Sequence, residues 1–229
     1  MNYNYIDDQV IEFSFLSKSE CEECIKYAHR KEDEIQKNKK IISKKRQLDY
    51  SIYPDVTTEN YNDYNFFKEN PKYIPRLREK INFIFESNIE YPLFVQSWIN
   101  IYRENKGINW HTHSILPNMH IKGYTANIFL GGNEDIGFTY AIHDKGKPRY
   151  RYKNIKNKIG HMIIIPNTMF HMVKKNYSQE NRYTIGITIS EYNQTLCRHY
   201  FNTKSNCEHL LILPEFNDLD KKKNIIKYN

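Results

Sequence analysis

The feature that most limits how this chain can fold is a series of short β-forming runs between residues 94 and 192. Each run is rich in β-branched and aromatic residues, and Gly, Asn, Asp or Pro separates it from the next. The runs are FVQSWINIYRE, GYTANIFLGG, GFTYAIHD, GHMIIIPN, FHMVKKN and RYTIGITISEY. Because these strands follow one another without an intervening helix, the pattern predicts an antiparallel sandwich or barrel.

The segment before this β region is predicted to be mainly helical. Ser17 is followed three residues later by Glu20, and Ser19 likewise by Glu22, so either pair can form a capping box at a helix N-terminus near Ser17 to Ser19. The apolar spacing in NPKYIPRLREKINFIFESNIE predicts a second helix, which ends before Pro92. The predicted fold class is therefore α+β, with N-terminal helices followed by a β barrel.

The length of 229 residues favours one domain with extensions. We predict a single domain over residues 1–229, divided into a mainly helical part over 1–92, a β-barrel core over 93–195 and a C-terminal extension over 196–229. The polar end of the chain, PEFNDLDKKKNIIKYN, carries no clear structural signal.

The net charge of +7 is weak evidence for a nucleic-acid partner. The lysine surplus accompanies high Asn, Ile and Tyr contents, a mixture typical of AT-rich coding sequence. The densest basic run, KNKKIISKKRQ, contains no aromatic residue that would stack on bases. A solvated helix end or loop is the better interpretation of this run.

The cysteines indicate a reduced chain. Cys21 and Cys24 form a C-x-x-C pattern, but Cys197 and Cys207 are too far apart to complete a zinc ribbon. The first pair falls at helical spacing, which predicts two small core residues. No apolar run approaches the ~20 residues that span a bilayer, and the N-terminus lacks the features of a signal peptide. We therefore expect a cytoplasmic protein without a membrane segment.

Two histidines in the stretch INWHTHSILPNMH are the first candidates for a metal site. His111 and His113 lie two residues apart, so on a strand they project to the same face. His171 begins a later strand and is the best third ligand. Neutral imidazole binds metal, so the affinity is expected to fall below pH ~6.5. Residues that lack such a partner are His29, His120, His143, His161, His199 and His209.

Arg182 is the candidate for binding a carboxylate. It opens RYTIGITIS on a neighbouring strand, and Thr184 lies two residues on and faces the same way. A planar guanidinium binds both oxygens of a carboxylate. The alternative is an edge-strand arginine in a surface ion pair.

Four segments together resemble a known superfamily. FSFLSKSECEECIKYA is similar to the opening strand and helix of the prolyl-hydroxylase-like, iron- and 2-oxoglutarate-dependent dioxygenases. NIYRENKGINWHTHS, GHMIIIPNTMFHMV and RYTIGIT resemble, in order, the first metal motif, the second metal histidine and the strand of the arginine that binds 2-oxoglutarate. The resemblance extends from Phe13 to Tyr192 and implies a double-stranded β-helix, a jelly-roll or cupin-like barrel.

The resemblance also implies roles for individual residues. His111 and His171 match iron ligands, Arg182 matches the residue that holds the distal carboxylate of 2-oxoglutarate, and Thr184 matches its hydroxyl-bearing neighbour. Tyr102 matches a strand position that contacts the cosubstrate in many members. The implied reaction is hydroxylation of an unidentified small molecule or protein side chain, with Fe(II) and 2-oxoglutarate as cofactors and release of succinate and CO2.

His113 departs from the pattern of the superfamily, which has aspartate or glutamate at this position. A histidine has the right reach, but it makes the ligand set uncharged. We interpret the three histidines as a variant metal site; no catalytic residue beyond this site is predicted. Glu134 and Asp135, in the GGNED turn, are alternative carboxylate donors.

Two other function classes remain open. A cupin would bind metal through three histidines, and the spacing of Gly160, Pro166, His171 and Asn176 approaches a cupin signature, but a cupin offers no role for Arg182. The second alternative is a catalytically inactive binding protein built on the barrel. In all cases substrate specificity is expected in SILPNMHIKG, HDKGKPRYRYKN and the segment from Asp49 to Tyr64.

Overall fold

The computed structural model describes residues 3–7, 9–37, 56–57, 64–85, 93–113, 123–143, 150–191 and 211–213. The helices are α1 (Lys18–Lys37), α2 (Phe66–Glu69) and α3 (Ile74–Phe85), with a 3-10 turn at Pro71–Tyr73. The strands are β1 (Tyr3–Asp7), β2 (Val10–Ser14), β3 (Val56–Thr57), β4 (Leu93–Tyr102), β5 (Ile108–His111), β6 (Gly123–Gly131), β7 (Phe138–His143), β8 (Tyr150–Ile155), β9 (His161–Pro166), β10 (His171–Val173), β11 (Arg182–Glu191) and β12 (Leu211–Leu213).

Two antiparallel sheets form the β part of the molecule. The larger sheet has the order β1-β2-β9-β6-β11-β4-β12, and β3 also pairs with β4. The smaller sheet has the order β5-β10-β7-β8. Neighbours in the sheets are mostly distant in sequence, as in a jelly roll, which agrees with the predicted β architecture.

The central strands of the larger sheet have one apolar and one polar face. On β11, Ile185, Ile187 and Ile189 are fully buried and belong to the core that the helices cover. The intervening residues, from Arg182 to Ser190, project to the opposite face. A second apolar cluster combines Tyr102 of β4 with Tyr140 of β7 and so joins the two sheets. The polar face of β11 therefore lies on the side of the smaller sheet.

The start of α1 confirms the predicted capping box. The backbone N–H of Ser17 donates to Glu20 Oε2 at 2.7 Å, and the backbone N–H of Glu20 donates to Ser17 Oγ at 3.3 Å. Arg76 of α3 lies 2.9 Å from Glu20 Oε2, and this partner lowers the pKa of Glu20 to about 2. The ion pair ties α3 to the first turn of α1.

The C-x-x-C pair is confirmed as part of the core. Cys21 and Cys24 are buried and free. Burial raises the pKa of Cys21 to about 12 and that of Cys24 to about 11. Both thiols therefore stay protonated at neutral pH and are poor nucleophiles.

Several strands were not predicted from local composition, although the resemblance implied an opening strand at Phe13. That strand is β2, which forms a hairpin with β1 and extends the larger sheet by pairing with β9, so the part over 1–92 is not only helical. β8 occupies the second half of the predicted loop HDKGKPRYRYKN, from Tyr150 onward. β12 shows that the C-terminal extension contributes to the larger sheet. These edge strands gain their conformation from long-range pairing, which local composition does not reveal.

The limits of the domain over 1–229 stay a prediction. Most of the basic run at 37–47 and all of SILPNMHI lie outside the described residues. Among the helices that the structure describes, none is both long and apolar enough to cross a membrane.

Candidate metal centre

Strand pairing brings the three candidate histidines together. His111 ends β5 and His171 begins β10, and the two residues are directly paired in the antiparallel ladder. His113 follows β5, and its backbone N–H donates to Asn167 O at 2.9 Å. One ring nitrogen from each histidine lies within 4.8 Å of the others. This is the one group of three or more potential metal ligands within the described part of the chain.

Backbone carbonyls fix the orientation of two of the rings. His111 Nδ1 lies 2.7 Å from Asn109 O, and His171 Nδ1 lies 2.9 Å from Met169 O. A carbonyl oxygen only accepts, so both Nδ1 atoms must carry the hydrogen. Each Nε2 is then left with its lone pair, the form in which imidazole binds a metal ion.

The third ring has a side chain as its partner. His113 Nδ1 lies 3.2 Å from Thr188 Oγ1 on β11, and the His113 ring stacks on Trp98 at a centroid distance of 5.8 Å. If Thr188 accepts the Nδ1 hydrogen, Nε2 of His113 is also free to bind metal. Thr188 therefore links the larger sheet to the histidine cluster.

Burial keeps the three rings neutral. Desolvation, with a smaller contribution from His111, lowers the pKa of His171 to about 3. Burial likewise lowers the pKa of His113 well below its ordinary value and that of His111 to a lesser degree. Protons therefore compete with a metal at more acidic pH than the unperturbed value of ~6.5 suggested from sequence.

The carboxylates proposed as alternative donors lie elsewhere. Glu134 and Asp135 are exposed in the turn after β6, and neither belongs to the histidine cluster. Asp135 Oδ1 pairs with Lys156 Nζ at 2.7 Å. The described residues therefore offer a set of three imidazoles without a carboxylate.

Arg182 is buried without a carboxylate partner among the described residues. It is 1% exposed, and Nη2 donates to Asn157 Oδ1 at 3.4 Å. Its Nε and Nη1 have no hydrogen-bond partner among the residues that the structure describes. The guanidinium lies 5.4 Å from the ring centroid of Tyr102 and 5.9 Å from that of Phe129. Burial lowers the pKa of Arg182 to about 10, so the group still carries its charge at neutral pH.

Arg182 and His171 lie in different sheets, so the expectation that they occupy neighbouring strands is wrong. β11 lies between β4 and β6, whereas β10 lies between β5 and β7. In the ladder between β11 and β4, Arg182 lies opposite Tyr102 and Thr184 lies opposite Asn100. The Asn100 Nδ2 group donates to Thr184 Oγ1 at 3.4 Å. The larger sheet thus carries Arg182 and Thr184, and the smaller sheet carries His111 and His171.

No protein-family model matches the sequence, and no curated protein matches it significantly. Solved structures match the fold. EvdO2 from Micromonospora carbonacea var. aurantiaca has a TM-score of 0.56 at 11% identity, over 83% of this chain and 93% of that one. The collagen prolyl hydroxylase of Paramecium bursaria Chlorella virus-1, solved with 2-oxoglutarate, has a TM-score of 0.52 at 14% identity, over 81% and 97%. SnoK, an α-ketoglutarate-dependent carbocyclase from nogalamycin biosynthesis, has a TM-score of 0.55 at 13% identity, over 93% and 85%.

The chain has the fold of the iron- and 2-oxoglutarate-dependent oxygenases. At these identities the likeness concerns the fold alone.

Several residues of the site were missed in the sequence. Thr188 lies four residues beyond Thr184 on β11, and Trp98 lies four residues before Tyr102 on β4, so two-residue periodicity would have placed both on the site face. Asn157, the partner of Arg182, follows β8 and had no such signal. Of the other histidines, His29 contacts Tyr183 and His161 lies near Glu12, whereas the side chains of His120, His143, His199 and His209 lie outside the described residues.

The buried histidines are expected to make the metal-free protein sensitive to acid. The pKa of His171 is about 3 in the folded chain and ~6.5 in the unfolded chain, so the unfolded chain binds more protons between these values. The contribution of neutral His171 to the free energy of unfolding is therefore fully present above pH 6.5. Below that pH it decreases, by up to about 2 kcal/mol between pH 6.5 and pH 5.

Urea unfolding of the metal-free protein at several pH values measures this loss. His171→Asn should show a smaller pH dependence than the parent. Equal slopes for the parent and His171→Asn would show that His171 titrates normally.

Proposed function

We propose that this chain is an Fe(II)- and 2-oxoglutarate-dependent oxygenase that hydroxylates its substrate. The observation that carries the proposal is the combination of two features on facing sheets. One is a cluster of three neutral imidazoles. The other is a buried arginine with two donor atoms that have no partner in the described part of the chain. Each feature lacks a partner that the proposed cofactors would supply.

The histidine cluster fits Fe(II). His111, His113 and His171 would hold the ion, because imidazole suits iron among the first-row metals and two of the rings already have Nε2 available. Three neutral ligands leave the full charge of the ion on the site. A dianionic cosubstrate would offset that charge.

The surroundings of Arg182 fit the distal carboxylate of 2-oxoglutarate. An isolated buried charge is strongly unfavourable, so the fold needs an anion beside Nε and Nη1. The guanidinium fork would bind the two carboxylate oxygens. Thr184 would offer its hydroxyl, and Tyr102 would form a wall of the same space.

When bound, Fe(II) and 2-oxoglutarate would supply the oxidation of a C–H bond by O2, in which one oxygen atom enters succinate, released with CO2, and the other enters the hydroxylated product. The chain's own contribution is to hold and orient these groups. Phe138 contacts His171 at a centroid distance of 5.1 Å, and the Tyr102 ring lies against the Arg182 guanidinium. These aromatic rings limit the access of water to this interior. The substrate, a small molecule or a protein side chain, stays a prediction.

A test of the function is the formation of succinate from 2-oxoglutarate by purified protein supplied with Fe(II) and oxygen. We expect slow turnover even without the substrate, and none after chelation of the metal. A cupin-type three-histidine protein would bind the metal but would not consume 2-oxoglutarate. A metal-free binding protein would do neither.

The role of His113 is tested by two substitutions. His113→Ala should lower Fe(II) affinity at least 10-fold, because loss even of groups that only support a ligand costs about 10–100-fold. His113→Asp should bind Fe(II) at least as tightly as the parent, since it adds an anionic oxygen. Calorimetric titration of Fe(II) without oxygen, followed by succinate measurement, separates the variants. An alanine variant with the parent's affinity would exclude His113 as a ligand.

A further inference from the structure

The smaller sheet has an inner face, which carries the histidines, and an outer face. His111, His171 and Tyr140 form one row across β5, β10 and β7, and they project to the inner face. The residues next to them along each strand project outward, because side chains alternate along a strand. Ala141 belongs to this outward set, and its pairing with Tyr152 places the Tyr152 ring on the same side.

Four aromatic residues form an exposed surface on this side, which we call the outer aromatic face. They are Trp110 and Phe170, which precede the two strand-end histidines, and Tyr150 and Tyr152 at alternate positions of β8. Between 40% and 65% of each residue is exposed. The Trp110 and Tyr152 rings are in contact, with centroids 5.2 Å apart. The described part of the chain exposes six large apolar residues, and four of them lie here. Such a concentration marks a binding surface.

The same sheet carries positive charge and no carboxylate. Its four strands lie within the described residues and contain no aspartate or glutamate. Arg151 and Lys153 lie on β8, and Lys174 and Lys175 directly follow β10. Lys174 continues the alternation of Phe170 along the chain, so it projects to the outer side. The partner of this sheet is therefore expected to be anionic.

A polyanion that contains planar rings matches both properties of the surface. Nucleic-acid bases stack on aromatic side chains, and phosphates bind lysine and arginine. A single strand can present the faces of its bases, whereas a duplex keeps them stacked on each other. A second copy of this chain fits less well, because it would bring the same cations together. An anionic polymer without rings would leave the aromatic residues in water.

We propose that the outer aromatic face binds single-stranded nucleic acid. Bases would stack on Trp110, Tyr152 and Phe170, and phosphates would approach Arg151 and Lys174. The surface lies on the reverse side of the strands that carry the candidate metal ligands. Binding there therefore needs no metal ion and is independent of the proposed oxygenase function.

The test is fluorescence anisotropy of a labelled oligothymidine of about 12 nucleotides, mixed with the full chain in the presence of a chelator. We expect binding that weakens with salt. Trp110→Ala and Tyr152→Ala should each lower the affinity about 5- to 100-fold, the effect of losing one stacked base. Tyr152→Phe keeps the ring and should bind like the parent. Lys174→Gln should reduce the slope of log affinity against log salt by about 0.7.

Tyr177→Ala is the matched control. Tyr177 is 72% exposed and lies between β10 and β11, outside the strands of the smaller sheet, so its loss should leave the affinity unchanged. Parent-like thermal unfolding shows that each variant is folded. The proposal is overturned if the oligonucleotide does not bind, or if the parent, Trp110→Ala and Tyr152→Ala bind it equally. Polyphosphate that binds as tightly as the oligonucleotide would also overturn it, since charge alone would then account for binding. So would a dimer that Trp110→Ala abolishes, because a second copy would then occupy the face.

Discussion

Replacing His171 with alanine is expected to abolish Fe(II) binding and, with it, the consumption of 2-oxoglutarate. His171 is 2% exposed and contacts both other histidines, with ring centroids 4.2 Å from His111 and 5.2 Å from His113. Two imidazoles remain after the substitution, and a water molecule in the cavity replaces the third weakly. We expect an affinity loss larger than the 10–100-fold effect of disturbing only a supporting contact.

Metal analysis of the purified variant and calorimetric titration with Fe(II) measure this loss. His171→Asn is a second variant that fills more of the cavity, so a folding defect in the alanine variant does not decide the result. His29→Ala, which removes a histidine outside the cluster, should bind like the parent. Parent-like metal content in both His171 variants would refute the centre.

Replacing Arg182 is expected to separate cosubstrate binding from metal binding. Arg182→Lys keeps the charge but loses the bidentate fork, so 2-oxoglutarate should bind weakly while Fe(II) content is unchanged. Arg182→Met also removes a buried charge without a carboxylate partner among the described residues, and should stabilise the ligand-free protein by up to about 4 kcal/mol. Loss of function would thus accompany a gain in stability.

Thermal unfolding with and without 2-oxoglutarate tests both halves of this expectation. The parent should gain about 2.7 kcal/mol at a cosubstrate concentration 100 times the dissociation constant, whereas Arg182→Met should gain nothing. If 2-oxoglutarate stabilises Arg182→Met as much as the parent, the anion site lies elsewhere. If the ligand-free variant is strongly destabilised, the guanidinium has partners beyond Asn157.

The sequence allowed much of the fold to be predicted because the central strands carry local signals. β4, β6, β9 and β11 are dense in isoleucine and aromatic residues, and the strands are bounded by glycine, proline and asparagine. The edge strand β8 lacks that signal. It begins with exposed tyrosine and arginine, has one buried residue at its end, Ile155, and becomes a strand because β7 offers free backbone groups.

The site was predictable in its residues but less so in its arrangement. His111, His171 and Arg182 each occupy a strand end, which their spacing indicated. The direct pairing of β5 with β10 and the separation of β10 from β11 are long-range contacts that no local pattern encodes. Burial in the folded chain lowers the pKa of His171, so we expect proton competition at a lower pH than the ordinary histidine pKa indicates.

The three histidine rings of the candidate metal centre differ in how their hydrogen-bond partners respond to substitution. The oxygens that orient His111 and His171 belong to the main chain, so any sequence that preserves the fold reproduces them. The partner of His113 is a side chain, Thr188, and it can be lost in one substitution. We therefore expect residues 113 and 188 to change together. A histidine at 113 needs a hydrogen-bond partner at 188, whereas a different ligand type at 113 removes that need. Redesign of this centre toward a different metal should begin with that pair.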